Sequence, residues 1–208
     1  MKKTILISLI IGMTLMFSVQ TDAALQLLGT DSLGNRLIYD TDFDITWYDY
    51  TNAVTSRSGQ YYWAANLSVT FGSNTYDDWR LPSDRTPAGQ PLCQGTNCTG
   101  SELGHLFYTE LGNSADTTAP YEGLQYTGYF QNLQNDTYWL CCEVGTVSLG
   151  ESSAFTLSTG YQGLYIGSQF GIAVRDGLAV VPEPISSILF VTGGTLLAGR
   201  SFLKRNRS

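Results

Sequence analysis

Between residues 24 and 184 this 208-residue chain contains no lysine at all, and its only bases there are Arg36, Arg57, Arg80, Arg85 and Arg175. The same stretch holds 17 of the 18 acidic residues, a net charge of −12 that the whole-chain value of −7 conceals. Such a field repels phosphate backbones, which excludes nucleic acid as a partner. Histidine is nearly absent too: His105 stands alone, with no serine-nucleophile motif and no convergent carboxylate pair around it, so no catalytic residue is assigned. A lone histidine beside an apolar helical stripe is most often a packing or capping residue. No internal repeat is evident, and no cofactor is expected.

Cysteines number only four. Cys93 and Cys98 bracket a short loop, and in an oxidising compartment a local disulfide is the default. Cys141 and Cys142 are adjacent, which is poor spacing for tetrahedral zinc. They remain open to a vicinal bridge, to separate partners or to a partly reduced state.

The two ends differ from the middle. Lys2-Lys3, the apolar stretch Ile5–Phe17 and Thr21-Asp22-Ala23 have the layout of a secretory signal peptide over residues 1–23. The alternative is an uncleaved first membrane helix, against which the short apolar core argues. At the other end, Pro182-Glu183-Pro184 precedes an apolar run from Ile185 to Gly199, then Arg200, Lys204, Arg205 and Arg207. The basic cluster favours the cytoplasmic side of a bilayer, which places everything before Pro182 on the other. A spanning helix needs roughly 20 apolar residues, so the run is short, and an amphipathic or buried core segment is the competing reading. The order of motif, apolar segment and basic terminus resembles the PEP-CTERM sorting signal of Gram-negative bacteria over residues 181–208. That resemblance implies processing by a membrane exosortase, a transient inner-membrane anchor through the C-terminal segment, and delivery to the cell surface or extracellular matrix.

Residues 24–180 remain as one exported domain, long enough for a proper core. Richness in Tyr, Gly, Thr, Ser and Asn suits an α+β fold with many short strands. Arg36–Asp40 alternates and pairs with Ile45–Tyr48 across an acidic turn. Gln60–Phe71 carries helical spacing. Thr99 and Glu102 form a capping-box pattern, followed by Leu103, Leu106, Phe107 and Leu111 at i, i+3, i+4 and i+8 and a stop at Gly112-Asn113. Later strands are expected at 126–130, 137–142, 154–158, 163–166 and 171–175. Asp40, Asp42 and Asp44 set three carboxylates at alternating positions, a weak calcium candidate beside the favoured reading as a solvated turn.

Asp77-Asp78-Trp79-Arg80-Leu81-Pro82 and Thr99-Gly100-Ser101-Glu102-Leu103-Gly104-His105-Leu106-Phe107-Tyr108 resemble segments of the Lcl C-terminal domain family. The flanking pattern at 37–47, 63–67 and 172–175 follows in order. The resemblance implies a C-type-lectin-like or formylglycine-generating-enzyme-like fold with two helices and antiparallel strands. Within it Trp79 and Leu81 are expected in the core, Arg80 on a carboxylate or loop carbonyls, and Pro82 at a turn. Where relatives often carry Tyr-Trp-Ser-Gly, this chain has Tyr138-Trp139-Leu140-Cys141-Cys142. The function this points to is a non-enzymatic surface or matrix protein bound to or embedded in the exopolysaccharide of a biofilm. Aromatics such as Tyr61, Tyr62, Tyr121 and Tyr165 are candidates to stack on sugars, the competing reading being ordinary core or surface tyrosines of a β-rich fold. The alternative is a cysteine-dependent enzyme of formylglycine-generating type using Cys141 and Cys142.

Overall fold

The computed structural model describes residues 24–84, 91–141 and 153–180. The expected signal segment, Cys142, and the sorting segment with Pro182, Glu183, Pro184, Arg200, Lys204, Arg205 and Arg207 lie outside the described residues. Among the described residues no helix is long and apolar enough to cross a membrane.

The fold is α+β and sheet-rich, with two short helices. Its strands are β1 (Leu25–Thr30), β2 (Arg36–Asp40), β3 (Ile45–Thr55), β4 (Val69–Phe71), β5 (Asn74–Tyr76), β6 (Thr137–Trp139), β7 (Ser153–Thr156), β8 (Tyr161–Leu164) and β9 (Gln169–Asp176). Seven form one sheet in the order β1-β2-β3-β9-β6-β7-β8, and β4-β5 is a separate hairpin. Pairing is antiparallel except between β6 and β9, which meet in parallel at Tyr138 and Phe170. The expected β2–β3 hairpin has Leu37 opposite Tyr48 and Ile38 opposite Trp47.

Alternation along these strands sends side chains to two buried faces. Ile38, Trp47, Tyr138, Phe155, Ile172 and Val174 share one cluster with Leu103, Leu106 and Phe107. Their sequence neighbours Leu37, Tyr48, Trp139, Ala154 and Ala173 build the other, with Trp79 and Leu81. A sheet covered on both faces needs apolar residues at both parities, which is why Leu37-Ile38 and Tyr138-Trp139 are apolar pairs.

Helix α1 (Arg57–Ala65) is shorter than the span Gln60–Phe71 read from spacing, and Ser56 caps it by accepting from Gly59 N–H. Its expected tail is instead β4, because Val69-Thr70-Phe71 is β-branched and aromatic and pairs with Asn74–Tyr76. Helix α2 (Glu102–His105) is capped by Ser101, whose Oγ accepts from Gly104 N–H. The expected cap at Thr99 therefore moves two residues, because Glu102 is bound elsewhere. The helix continues into a wider π turn over Leu106–Glu110, closed by Leu111 N–H donating to the Leu106 carbonyl at 2.9 Å. Leu103, Leu106, Phe107 and Leu111 are all buried, as their spacing predicts.

The Cys93–Cys98 disulfide forms, with Cα atoms 5.6 Å apart. Its loop is pinned to β8 by reciprocal backbone bonds of 2.8 Å between Gly95 and Gln162. The main chain of Cys141 bonds to Pro82 and Asp84, at 2.7 and 2.8 Å.

Candidate functional site

Arg80 bridges two elements distant in sequence. Its main chain pairs with Val174 of β9, at 2.8 and 2.9 Å, so Trp79 and Leu81 turn into the core while the guanidinium turns the other way. There it grips Glu102 with two parallel bonds of 2.8 and 2.7 Å, and Asp176 at 2.6 Å. Glu102 is only 2% exposed and also accepts from Ser83 N–H at 2.7 Å. Burial disfavours the Arg80 charge, yet the two carboxylates outweigh it and raise its pKa. With every donor aimed at a fixed partner, this is a structural tie between the Trp-Arg-Leu-Pro segment and the start of α2.

A second polar centre lies where the β2–β3 turn meets α2. Asp40 ends β2 on the same side as Ile38, two residues earlier, and is fully buried at 0% exposure. Its Oδ1 closes the turn by accepting from Asp42 N–H at 3.0 Å and Phe43 N–H at 3.2 Å. Its Oδ2 has no hydrogen-bond partner. Burial raises the Asp40 pKa, against the opposing pull of the turn N–H groups, His105 and the nearby Trp47 indole. His105 stacks on Phe43 with ring centroids 4.2 Å apart. Its Nε2 lies 3.0 Å from Glu110 Oε1 and 3.5 Å from Asp42 Oδ2. Burial, and then the charge of Asp40, raise the Glu110 pKa, while His105 opposes them. Donor atoms of Asp40, His105 and Glu110 lie within 4.8 Å of one another.

The π turn assembles this cluster. Residues five apart on an α-helix are separated by about 140° around the axis, whereas the wider π turn cuts that to about 50°. Glu110 thereby comes round beside His105. An α-helical reading of the sequence places it elsewhere, so it was missed. Of the three aspartates singled out for calcium, Asp40 and Asp42 approach this centre. Asp44 instead accepts from the Tyr39 hydroxyl at 2.7 Å.

Glu110 also lines an open groove of 570 Å³ with Leu25, Leu111, Tyr126, Thr127 and Tyr129. Residues 126–130, expected as a strand, are irregular because their backbone bonds to side chains rather than to a ladder. Asn113 accepts from Gln125 and Tyr126 N–H at 2.9 and 2.8 Å and donates to the Tyr126 carbonyl at 2.8 Å. Arg36 donates to the Tyr129 carbonyl at 2.6 Å, and Phe130 is buried in the core. Tyr126 and Tyr129 are thus held by their backbone while 62% and 41% exposed. The stacking candidates Tyr61, Tyr62 and Tyr121 are exposed elsewhere. Tyr165 is half-buried and hydrogen-bonded to Thr156 at 2.7 Å.

The chain matches no family model, no curated protein and no solved structure.

Proposed function

We propose that this chain is an exported, non-enzymatic surface or extracellular-matrix protein that binds exopolysaccharide through the Tyr126–Tyr129 groove. The sorting tail, by its resemblance to PEP-CTERM signals, brings an exosortase to the Pro182-Glu183-Pro184 segment and leaves the domain outside the cell. The domain in this reading belongs to the Lcl C-terminal group and shares the C-type-lectin-like arrangement.

The observation that carries the binding reading is the pair of exposed tyrosines on a backbone already fastened by Asn113 and Arg36. A phenol presents an apolar face to a sugar ring and a hydroxyl to its neighbours. A fastened backbone lowers the ordering cost of binding. The groove lining combines apolar Leu25 and Leu111 with polar Thr127 and Glu110, which suits the two-sided character of a sugar.

The test is retention of the untagged full chain on polysaccharide isolated from the producing cells. Tyr126→Ala and Tyr129→Ala should each weaken retention at least tenfold while leaving thermal stability unchanged. No retention of the parent chain, or undiminished retention of both variants, refutes the groove. The sorting half is tested by mass spectrometry of the mature C-terminus from cells with and without the exosortase, where a surface form still carrying residues 185–208 refutes it.

A further inference from the structure

We propose that Asp40, His105 and Glu110 form a binding site for one divalent transition-metal ion of the Zn²⁺ or Mn²⁺ class, with Asp42 at its solvent-facing side. The inference does not depend on polysaccharide binding, although Glu110 lines both the cluster and the groove.

The decisive feature is the buried Asp40 carboxylate. One oxygen is satisfied by two turn N–H groups; the other makes no hydrogen bond, although the Trp47 indole N–H, itself unpartnered, lies near the carboxylate. An unpaired buried carboxylate oxygen is costly, and a cation removes that cost. The distances suit a metal. Ligand atoms about 2.1 Å from an ion are separated from one another by roughly 3.4 Å in a tetrahedral set and roughly 3 to 4.2 Å in an octahedral one. The observed separations of 3.0 Å from His105 to Glu110 and 3.5 Å from His105 to Asp42 need little adjustment, and Asp40, with its ligand atom within 4.8 Å of those of His105 and Glu110, closes in on binding. One imidazole among carboxylates favours a borderline ion over calcium, which takes oxygen ligands and more of them. Phe43 against the ring restricts how His105 can turn, and Asp42, whose side chain is 50% exposed, leaves a way in from solvent.

His105 is the single histidine of the chain, so its imidazole nitrogens give one unambiguous set of ¹⁵N NMR signals in the untagged protein. The full chain in detergent, stripped with EDTA, is titrated with ZnCl₂, MnCl₂ and CaCl₂ and followed by calorimetry; Zn²⁺ is also followed through the imidazole signals. One equivalent of Zn²⁺ should bind and displace an imidazole ¹⁵N resonance, with affinity at least tenfold above that for Ca²⁺. His105→Gln and Glu110→Gln should each reduce Zn²⁺ affinity at least tenfold, with cooperative unfolding retained. An imidazole resonance unmoved at saturating Zn²⁺ overturns the assignment and gives any heat to other groups of the chain. Equal binding by folded His105→Gln and Glu110→Gln, or a preference for Ca²⁺, overturns it as well. Should a variant fail to fold, the parent imidazole signal decides alone.

Discussion

Replacing Glu102 by glutamine isolates one buried charge with three hydrogen bonds. The carboxylate accepts from Arg80 Nη1 at 2.8 Å, Arg80 Nη2 at 2.7 Å and Ser83 N–H at 2.7 Å. Glutamine keeps one acceptor oxygen and turns an NH₂ group toward donors, so at least one buried N–H loses its partner. Removing one member of a buried ion pair typically costs about 3–5 kcal/mol. Here Arg80 retains Asp176 at 2.6 Å, and its side chain is 22% exposed. Both features soften the loss, which leaves roughly 2–4 kcal/mol for Glu102→Gln. In a domain of this size that lowers Tm by roughly 5–12 °C.

The internal control is Asp78→Asn. Asp78 makes an equally well-aligned pair with Arg175, at 2.8 and 2.9 Å, and Arg175 holds its pKa down. Its side chain is 51% exposed, however. Water screens such a pair, and the expected cost is under about 1 kcal/mol. Urea unfolding of the full-length proteins, with the parent m-value retained, measures both. A Glu102→Gln loss no larger than that of Asp78→Asn would refute the reasoning. A double variant, Arg80→Met with Glu102→Met, should lose less than the sum of its singles, because the one charge it leaves unpaired, Asp176, has a side chain 69% exposed.

Gly104→Ala should destabilise the chain by about 2 kcal/mol or more, although alanine gains about 1 kcal/mol of helix propensity. The new Cβ would run into the Cys98 carbonyl and the Ser101 hydroxyl; a rise in Tm would show that the helix start is not packed against the disulfide loop. For Asp49, burial raises the pKa despite N–H donation from Gln131 and Asn132 and the charge of Arg36. The native state then holds its proton at a pH where the unfolded chain has released it. Stability should therefore rise as pH falls through the folded pKa and level off below the unfolded value. Asp49→Asn should lack that component in urea unfolding between pH 7 and about 4, and parallel pH profiles for parent and variant would contradict it.

Much of the framework was legible beforehand because it rests on local periodicity. Arg36–Asp40 and Ile45–Tyr48 alternate, and they pair as expected. The Leu103-Leu106-Phe107-Leu111 stripe is buried as its spacing requires, and the Cys93–Cys98 loop closes. Two of the misreadings share one cause: side chains taking over bonds that a local pattern assigns elsewhere. Glu102 suggested a capping box, but Arg80 and Ser83 claim it, so Ser101 caps the helix instead. Residues 126–130 have strand composition, yet the Asn113 carboxamide occupies the N–H groups and carbonyl a ladder would need. Strand β1 was missed because only Leu25 of its residues is buried, leaving little alternation to detect.

By itself, the sequence determined the acidic, lysine-free character of residues 24–184, the β2–β3 hairpin, the buried helical stripe and the short cysteine loop. These follow from composition and from periods of 2 and 3.6 residues, which neighbours along the chain impose on one another. Tertiary structure alone decided which polar groups meet. Asp40 gains its isolation from the strands around it, and Glu110 reaches His105 only because the helix widens by a π turn. Convergence of side chains from a hairpin turn and a helix depends on register and crossing geometry, and neither is written in any local pattern of residues.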